Sequence, residues 1–270
     1  MLDSEIEKIK EQTKAQWNNT PCGQIGDITY TLDYFENVEK YRYEEYAPWM
    51  KNYFEYDKQK GKKLLEVGFG QGTDLIQYAK GGADVYGIDL TPHHFDLASL
   101  NFKLRNLNAN LTLGDASKLP YENNFFDKVS SFGVLHHTPD IEKCVDEVFR
   151  VLKPNGEFII GLYYKDSFFH YWTKCFLDGI VKFGFLRLGY DGNLSTLEAG
   201  ADGKKYKPYI KLFTKKMMRQ LLSKFQIDAL DIRHLNREDI PLLGKLFTDG
   251  MLQKYSTKYG WYILAKCAKK

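Results

Sequence analysis

No run of eighteen apolar residues occurs anywhere in the 270-residue chain, which excludes a helix long and apolar enough to span a bilayer. Charge of one sign is also missing. Lys plus Arg is 38 and Asp plus Glu is 35, a net +3 with no long charged run, so a polyanion is not expected as the main partner. Only four cysteines are present, Cys22, Cys144, Cys175 and Cys267, and no two form a CxxC pair. A structural zinc site or a disulfide framework is therefore not expected, and no metal is. Residues 1–5 are acidic where a secretory leader would be basic and then apolar, so a cytoplasmic location with reduced thiols is expected. What the chain has in surplus is aromatic side chains: 19 Tyr, 18 Phe and 4 Trp, or 15%. These rings are large, rigid and often amphipathic, so their placement carries information.

The chain reads as four stretches. Residues 1–57 are helical, with a helix over 4–17, breaks at Pro21, Gly23 and Gly26, and a further helix over 34–56 interrupted at Pro48. Within 58–165, strands over 63–67, 85–89, 111–113, 128–132 and 158–163 alternate with helices over 73–80, 92–107 and 139–152. That alternation predicts right-handed βαβ units and a parallel sheet covered on both faces. Residues 166–205 interrupt the alternation and read as an insertion. Residues 206–270 resume it, with helices over 214–225 and 241–250 and strands over 227–234 and 261–266.

Three elements in the second stretch carry chemistry. A buried strand runs into Gly68, Gly70 and Gly72, and a helix follows; such a loop lets a ligand approach the backbone. The spacing is G-x-G-x-G, and Thr73 stands where a dinucleotide fingerprint needs its third glycine. This weakens a nicotinamide-dependent oxidoreductase as the reading. Asp89 ends the next strand, where a carboxylate can accept both hydroxyls of a ribose or simply cap a helix. Asp115, in Gly114-Asp115-Ala116 after the third strand, can accept from an exocyclic amine or serve as a turn residue.

Taken in order, these segments resemble class I S-adenosylmethionine-dependent methyltransferases. Residues 64–73 are similar to the family's first motif and 85–89 to its second. Gly114-Asp115-Ala116 with Leu119-Pro120 and 125–129 resembles its third region. Residues 131–137 resemble the segment after strand four, and 152–156 the turn before strand five. The small-molecule branch that methylates ubiquinone and menaquinone precursors is the most similar subgroup. The resemblance implies a Rossmann-like α/β fold: a seven-stranded, mostly parallel sheet whose antiparallel last strand lies between strands five and six, helices on both faces, and a helical cap. It implies S-adenosylmethionine as cofactor, with Glu66, Gly68, Phe69, Gly70, Gln71 and Gly72 along its methionine part. Asp89 would hold the ribose, Leu90 would lie against the adenine, Asp115 would hold the adenine amine with Ala116 beside it, and Phe132 would approach the sulfonium.

Methyl transfer needs alignment and a dry site, and a base only where the acceptor carries a proton. His136 and His137, beyond strand four, are the candidates, His136 first. The acceptor is expected to be an apolar or aromatic small molecule, methylated on oxygen or carbon. Phe132-Gly133-Val134 replaces the Pro-Pro-Tyr segment of nucleobase amino methyltransferases. The alternatives are a cofactor-binding interaction protein without turnover and an RNA methyltransferase. Ten aromatics lie in residues 30–56, with Arg42 among them; Arg42, Tyr43 and Trp49 are candidate acceptor residues there. Tyr171 and Trp172 are candidates in the insertion, where residues 168–188 read as a lid helix with a charged stripe at Lys174, Asp178 and Lys182. Peripheral membrane contact by this helix is a further reading, weakened by the thin, weakly cationic stripe.

Overall fold

A computed structural model describes residues 3–198 and 208–270. Helix α1 (Asp3–Asn19) is followed by α2 (Leu32–Lys40), a π-helical turn (Tyr41–Tyr46) and α3 (Met50–Phe54). The alternating region gives β1 (Lys63–Val67), α4 (Thr73–Lys80), β2 (Asp84–Asp89), α5 (Pro92–Leu104), β3 (Asn110–Leu113), β4 (Phe126–Phe132), α6 (Ile141–Val151) and β5 (Leu152–Tyr163). A π-helix (Phe169–Val181) and α7 (Gly184–Ser195) form the described part of the insertion. Helix α8 (Lys215–Leu221), β6 (Phe225–Arg233), α9 (Asp249–Tyr259) and β7 (Tyr262–Lys269) complete the chain. Residues 199–205 of the expected insertion lie outside the described residues.

The strands form one sheet in the order β3-β2-β1-β4-β5-β7-β6. The first five are parallel; β7 runs antiparallel to both β5 and β6 and sits between them. The fold is the expected Rossmann-like one. Alternate residues of each strand feed two apolar layers: Leu65, Val129 and Ile160 join α6 on one face, and Leu64, Val85, Ile159 and Leu264 join α4 and α3 on the other. Several rings of residues 30–56, Tyr43, Tyr53, Phe54 and Tyr56 among them, belong to the second layer, so much of that aromatic surplus is core.

Two expected elements move. The helix expected over 241–250 is replaced by a 3₁₀ turn at Gly244–Leu246, and α9 starts at Asp249, where the Thr248 side chain accepts from Met251 N–H. Strand β5 begins at Leu152 rather than 158. Leu152 pairs with Phe126, the register then shifts, and pairing resumes at Lys128↔Glu157.

Candidate functional site

The carboxyl ends of β1, β2, β3 and β4 open onto one cavity of about 410 Å³, within the usual range for small-molecule sites. Its glycine loop follows from backbone geometry. Gly68 has φ +78°, and a Cβ there would lie 2.4 Å from Val134. Gly72 has φ +80° as it enters α4. Glu66, Gly68, Phe69, Gly70, Gln71, Asp89, Leu90, Asp115, Ala116 and Phe132 all line the cavity. Of the residues expected along the cofactor, Gly72 does not; it shapes the turn behind the wall.

Asp89 is held from three sides. Its Oδ2 accepts from Gly70 N–H at 3.0 Å, and its Oδ1 from Thr91 N–H at 2.9 Å and His94 Nδ1 at 3.2 Å. His94 Nε2 accepts from Cys22 N–H at 3.1 Å, which fixes the ring proton on Nδ1. Gln71 Nε2 donates to Cys22 O at 2.9 Å, and Tyr34 Oη donates to Gln71 Oε1 at 2.8 Å. The Pro21-Cys22-Gly23 turn is thus pinned between the glycine loop and the acid that ends β2.

At Asp115 the structure supplies an unexpected partner. Lys10, on α1, donates to Asp115 Oδ2 at 2.7 Å, Asp140 Oδ2 at 2.9 Å and Ser117 Oγ at 3.1 Å. Burial pulls the Lys10 ammonium down, but its bonds to Asp115 and Asp140 outweigh it and the group is held above its ordinary value. Lys10, Thr13 and Trp17 bring α1 across the cavity as a wall.

Glu66 is buried, and its Oε2 has no hydrogen-bond partner. Burial first, then the charge of Asp74, pushes its carboxyl well above the usual range, against the pull of Arg42. Arg42 lines the cavity but is committed to Asp74, through Nε at 2.7 Å and through NH2. Tyr43 and Tyr56 also donate to Asp74.

The histidine pair separates. His136 does not line the cavity: its ring lies against Tyr163 at 3.8 Å and His137 at 4.1 Å, with no exposure. Neither ring nitrogen finds a partner, and burial holds it well below its ordinary pKa. His137 does line the cavity. Its Nδ1 donates to Tyr209 O at 2.9 Å, so Nε2 carries a lone pair, and Nε2 is buried without a partner. Burial lowers its pKa too, which keeps the ring neutral. Tyr163 and Glu198 join the same wall, with Tyr163 Oη donating to Glu198 Oε1. Tyr46 and Tyr262 line it as well, with their hydroxyls 2.6 Å apart.

Four residues expected near an acceptor lie elsewhere. Tyr43 and Trp49 belong to the packing behind the cavity. Tyr171 is exposed, and Trp172 donates its indole N–H to Pro241 O at 2.8 Å. Lys10, His94 and Glu198 were not singled out from sequence. His94, in the first turn of α5 and five residues beyond Asp89, was a usable signal; Lys10 and Glu198 reach the site from distant segments and leave none. Among the described residues no cluster of three or more His, Cys, Asp or Glu could hold a metal ion.

A methyltransferase-domain family model matches residues 65–160. The chain is 32% identical over 173 residues to a ubiquinone biosynthesis O-methyltransferase of Psychrobacter cryohalolentis, covering 58% of this chain and 62% of that protein. It is 35% identical over 115 residues to a demethylmenaquinone methyltransferase of Lactobacillus johnsonii (40% and 47%). A sterol 4-C-methyltransferase of Caenorhabditis elegans matches at 29% over 117 residues (40% and 35%). The chain thus matches about a third to two thirds of these relatives' length. Among solved structures, an S-adenosylmethionine-dependent methyltransferase of Methanosarcina mazei superposes with TM-score 0.57 at 20% identity, covering 80% of this chain and 96% of that one. The [4+2]-cyclase SpnF superposes with TM-score 0.57 at 16% identity, covering 97% and 94%. At these identities the superpositions speak for the fold. Together with the seven-strand order they show a Rossmann-like fold, and within it residues 65–160 match the methyltransferase-domain family.

Proposed function

We propose that the chain is an S-adenosylmethionine-dependent methyltransferase whose acceptor is an apolar or ring-bearing small molecule with an ionisable hydroxyl or an acidic carbon. The observation that carries this reading is His137, which lines a cavity shared with Tyr46, Phe132, Tyr163 and Tyr262 and whose Nε2 is buried without a hydrogen-bond partner.

The residues present fit the cofactor. Gly70 has open space where a Cβ would stand, so a ligand can pass close to the loop. Glu66 is a buried carboxyl with a free oxygen, a natural partner for an ammonium group. Asp89 and Asp115 offer acceptors for ribose hydroxyls and an exocyclic amine at the ends of β2 and β3. The cofactor supplies a methyl group activated on a sulfonium. The chain orients the acceptor between aromatic walls, excludes water, and takes the acceptor's proton at His137 Nε2. His137 takes this role in place of His136 because His137 lines the cavity and His136 does not.

Three of the matched relatives, named for ubiquinone biosynthesis, demethylmenaquinone and a sterol, favour a greasy, ring-bearing acceptor, whereas a fourth, 32% identical over 111 residues, is named a phosphoethanolamine N-methyltransferase. The test is S-adenosylhomocysteine release with demethylated quinols and catechols as acceptors, in wild type and His137→Ala. Turnover in wild type and a loss of about 10²–10⁴-fold in the variant, with S-adenosylhomocysteine affinity kept, is the expected result. Equal turnover in both would leave alignment alone as the mechanism. Cofactor binding without turnover on any acceptor would favour the interaction-protein reading.

A further inference from the structure

Two phenols of the cavity wall take no part in cofactor binding or proton removal as derived above. Tyr262 belongs to β7, where it pairs with Tyr163 of β5 on one side and Arg233 of β6 on the other. Its ring packs on Phe132 with centroids 4.6 Å apart. Tyr46 ends the π-helical turn; its carbonyl accepts from Asn236 Nδ2 at 3.3 Å, and its ring lies 4.3 Å from that of His234. The two side chains come from distant segments, line the same cavity and bring their hydroxyls to 2.6 Å.

The protons of this pair can be counted. Each phenol carries one and can also accept one. Burial holds both hydroxyls well above the ordinary tyrosine value, so both protons are present. Only one of them lies between the two oxygens. Whichever oxygen donates, the other keeps its own proton, and among the described residues neither hydroxyl has a further partner. A hydroxyl that accepts one hydrogen bond is a better donor of its own. The neighbouring phenols have no such proton to offer: Tyr163 donates to Glu198 and Tyr43 to Asp74.

The pair stands close to the reacting groups. The Tyr163 ring is 5.6 Å from that of Tyr262 and 6.0 Å from that of His137. Phe132, against which Tyr262 packs, lines the same cavity. A donor enclosed in a site without an acceptor is costly, so a ligand that supplies one is favoured over a ligand that does not.

We propose that the Tyr46–Tyr262 hydroxyl pair is a specificity-determining donor that binds a second oxygen of the acceptor, one that does not receive the methyl group. An oxygen conjugated with the reacting atom fits best, because charge left on the acceptor when His137 takes its proton spreads onto that oxygen and is met by a fixed donor. The inference rests on the methyl-transfer reading for the identity of the ligand, and names two residues and one substituent within it.

The experiment is calorimetric titration of the full chain, saturated with S-adenosylhomocysteine, with phenol, which has one oxygen, and with catechol and hydroquinone, which have two. Wild type is expected to bind at least one of the two-oxygen rings about tenfold more tightly than phenol. Tyr46→Phe/Tyr262→Phe removes both hydroxyls together and leaves no orphaned partner, so the fold should be kept. In this variant the preference should collapse to about one, and the single variant that also loses it carries the spare proton. Equal affinities in wild type, no binding of any of the three rings, or a preference retained by the double variant would overturn the proposal. So would an equal loss for all three rings, which a merely structural pair would give. S-adenosylhomocysteine release in a parallel assay separates the two readings. Turnover without a binding preference overturns the donor pair and leaves methyl transfer standing; a preference that the double variant loses, without turnover, upholds the pair and counts against methyl transfer.

Discussion

Replacing Lys10 by methionine removes the one cation between Asp115 and Asp140 while keeping most of the side chain's apolar length. The Lys10 side chain is 10% exposed and that of Asp140 6%, so the variant leaves Asp140 buried without its cation, with Thr138 Oγ1 as its remaining side-chain donor. Breaking a buried pair in this way costs roughly 3–5 kcal/mol. Asp115 is 33% exposed and keeps its bond from Ser117 N–H, so water and backbone recover part of that cost. A net loss of about 2–3 kcal/mol follows, and a fall in melting temperature of about 4–10 °C. Urea unfolding followed by circular dichroism measures it. The double variant Lys10→Met/Asp140→Asn should recover a substantial part of the loss, because the orphaned charge is gone. If Lys10→Met stays within about 0.5 kcal/mol of wild type, α1 is not held to the sheet by this ion pair and the wall it forms is wrongly understood.

Three other outcomes are expected. His94→Ala should weaken S-adenosylhomocysteine binding several-fold by freeing Asp89 and the Cys22 turn, whereas His94→Gln, which can still donate and accept, should restore part of it; calorimetric titration decides. Gly68→Ala should destabilise the fold and abolish ligand binding, since a Cβ at φ +78° meets Val134 at 2.4 Å; a soluble variant with wild-type affinity would refute the loop geometry. Stability should fall as pH drops from 6.5 toward 4. His234, held down to about 4 by burial, contributes about 3 kcal/mol that is present above its unfolded pKa near 6.5 and lost as pH falls through 4. His136, His137 and His170 are lowered by burial and act in the same direction. Asp239, pushed up to about 6 by burial, opposes them with a contribution present at low pH and lost as pH rises through 6. A melting temperature that is flat or rising between pH 7 and pH 4 would contradict the burial of the four histidines.

The sheet was legible because each strand announces itself locally. Leu64-Leu65-Glu66-Val67 running into glycines, and Tyr86-Gly87-Ile88-Asp89 ending on an acid, need no distant information, and the acids at strand ends fall on the cavity. The order of β6 and β7 came from the family resemblance and not from the strands themselves. What the chain does over long separations was not legible. Lys10 meets Asp115 across 105 residues, and Tyr163 meets Glu198 across 35. The choice between His136 and His137 turns on the local turn at Leu135–His137, which packs one ring into the core and leaves the other on the cavity. In the insertion the spacing of Lys174, Asp178 and Lys182 did not show which of them is buried: Lys174 is, donating to Asp178 and to Thr196 Oγ1, whereas Lys182 is exposed.

Calorimetric titration of the full chain with S-adenosylhomocysteine, alongside Asp89→Ala, tests the central claim most directly. The account predicts saturable one-site binding by wild type and an affinity lower by about tenfold or more in the variant, from the loss of charge-assisted hydrogen bonds. No binding by a folded wild type, or equal affinity in the two proteins, would contradict it.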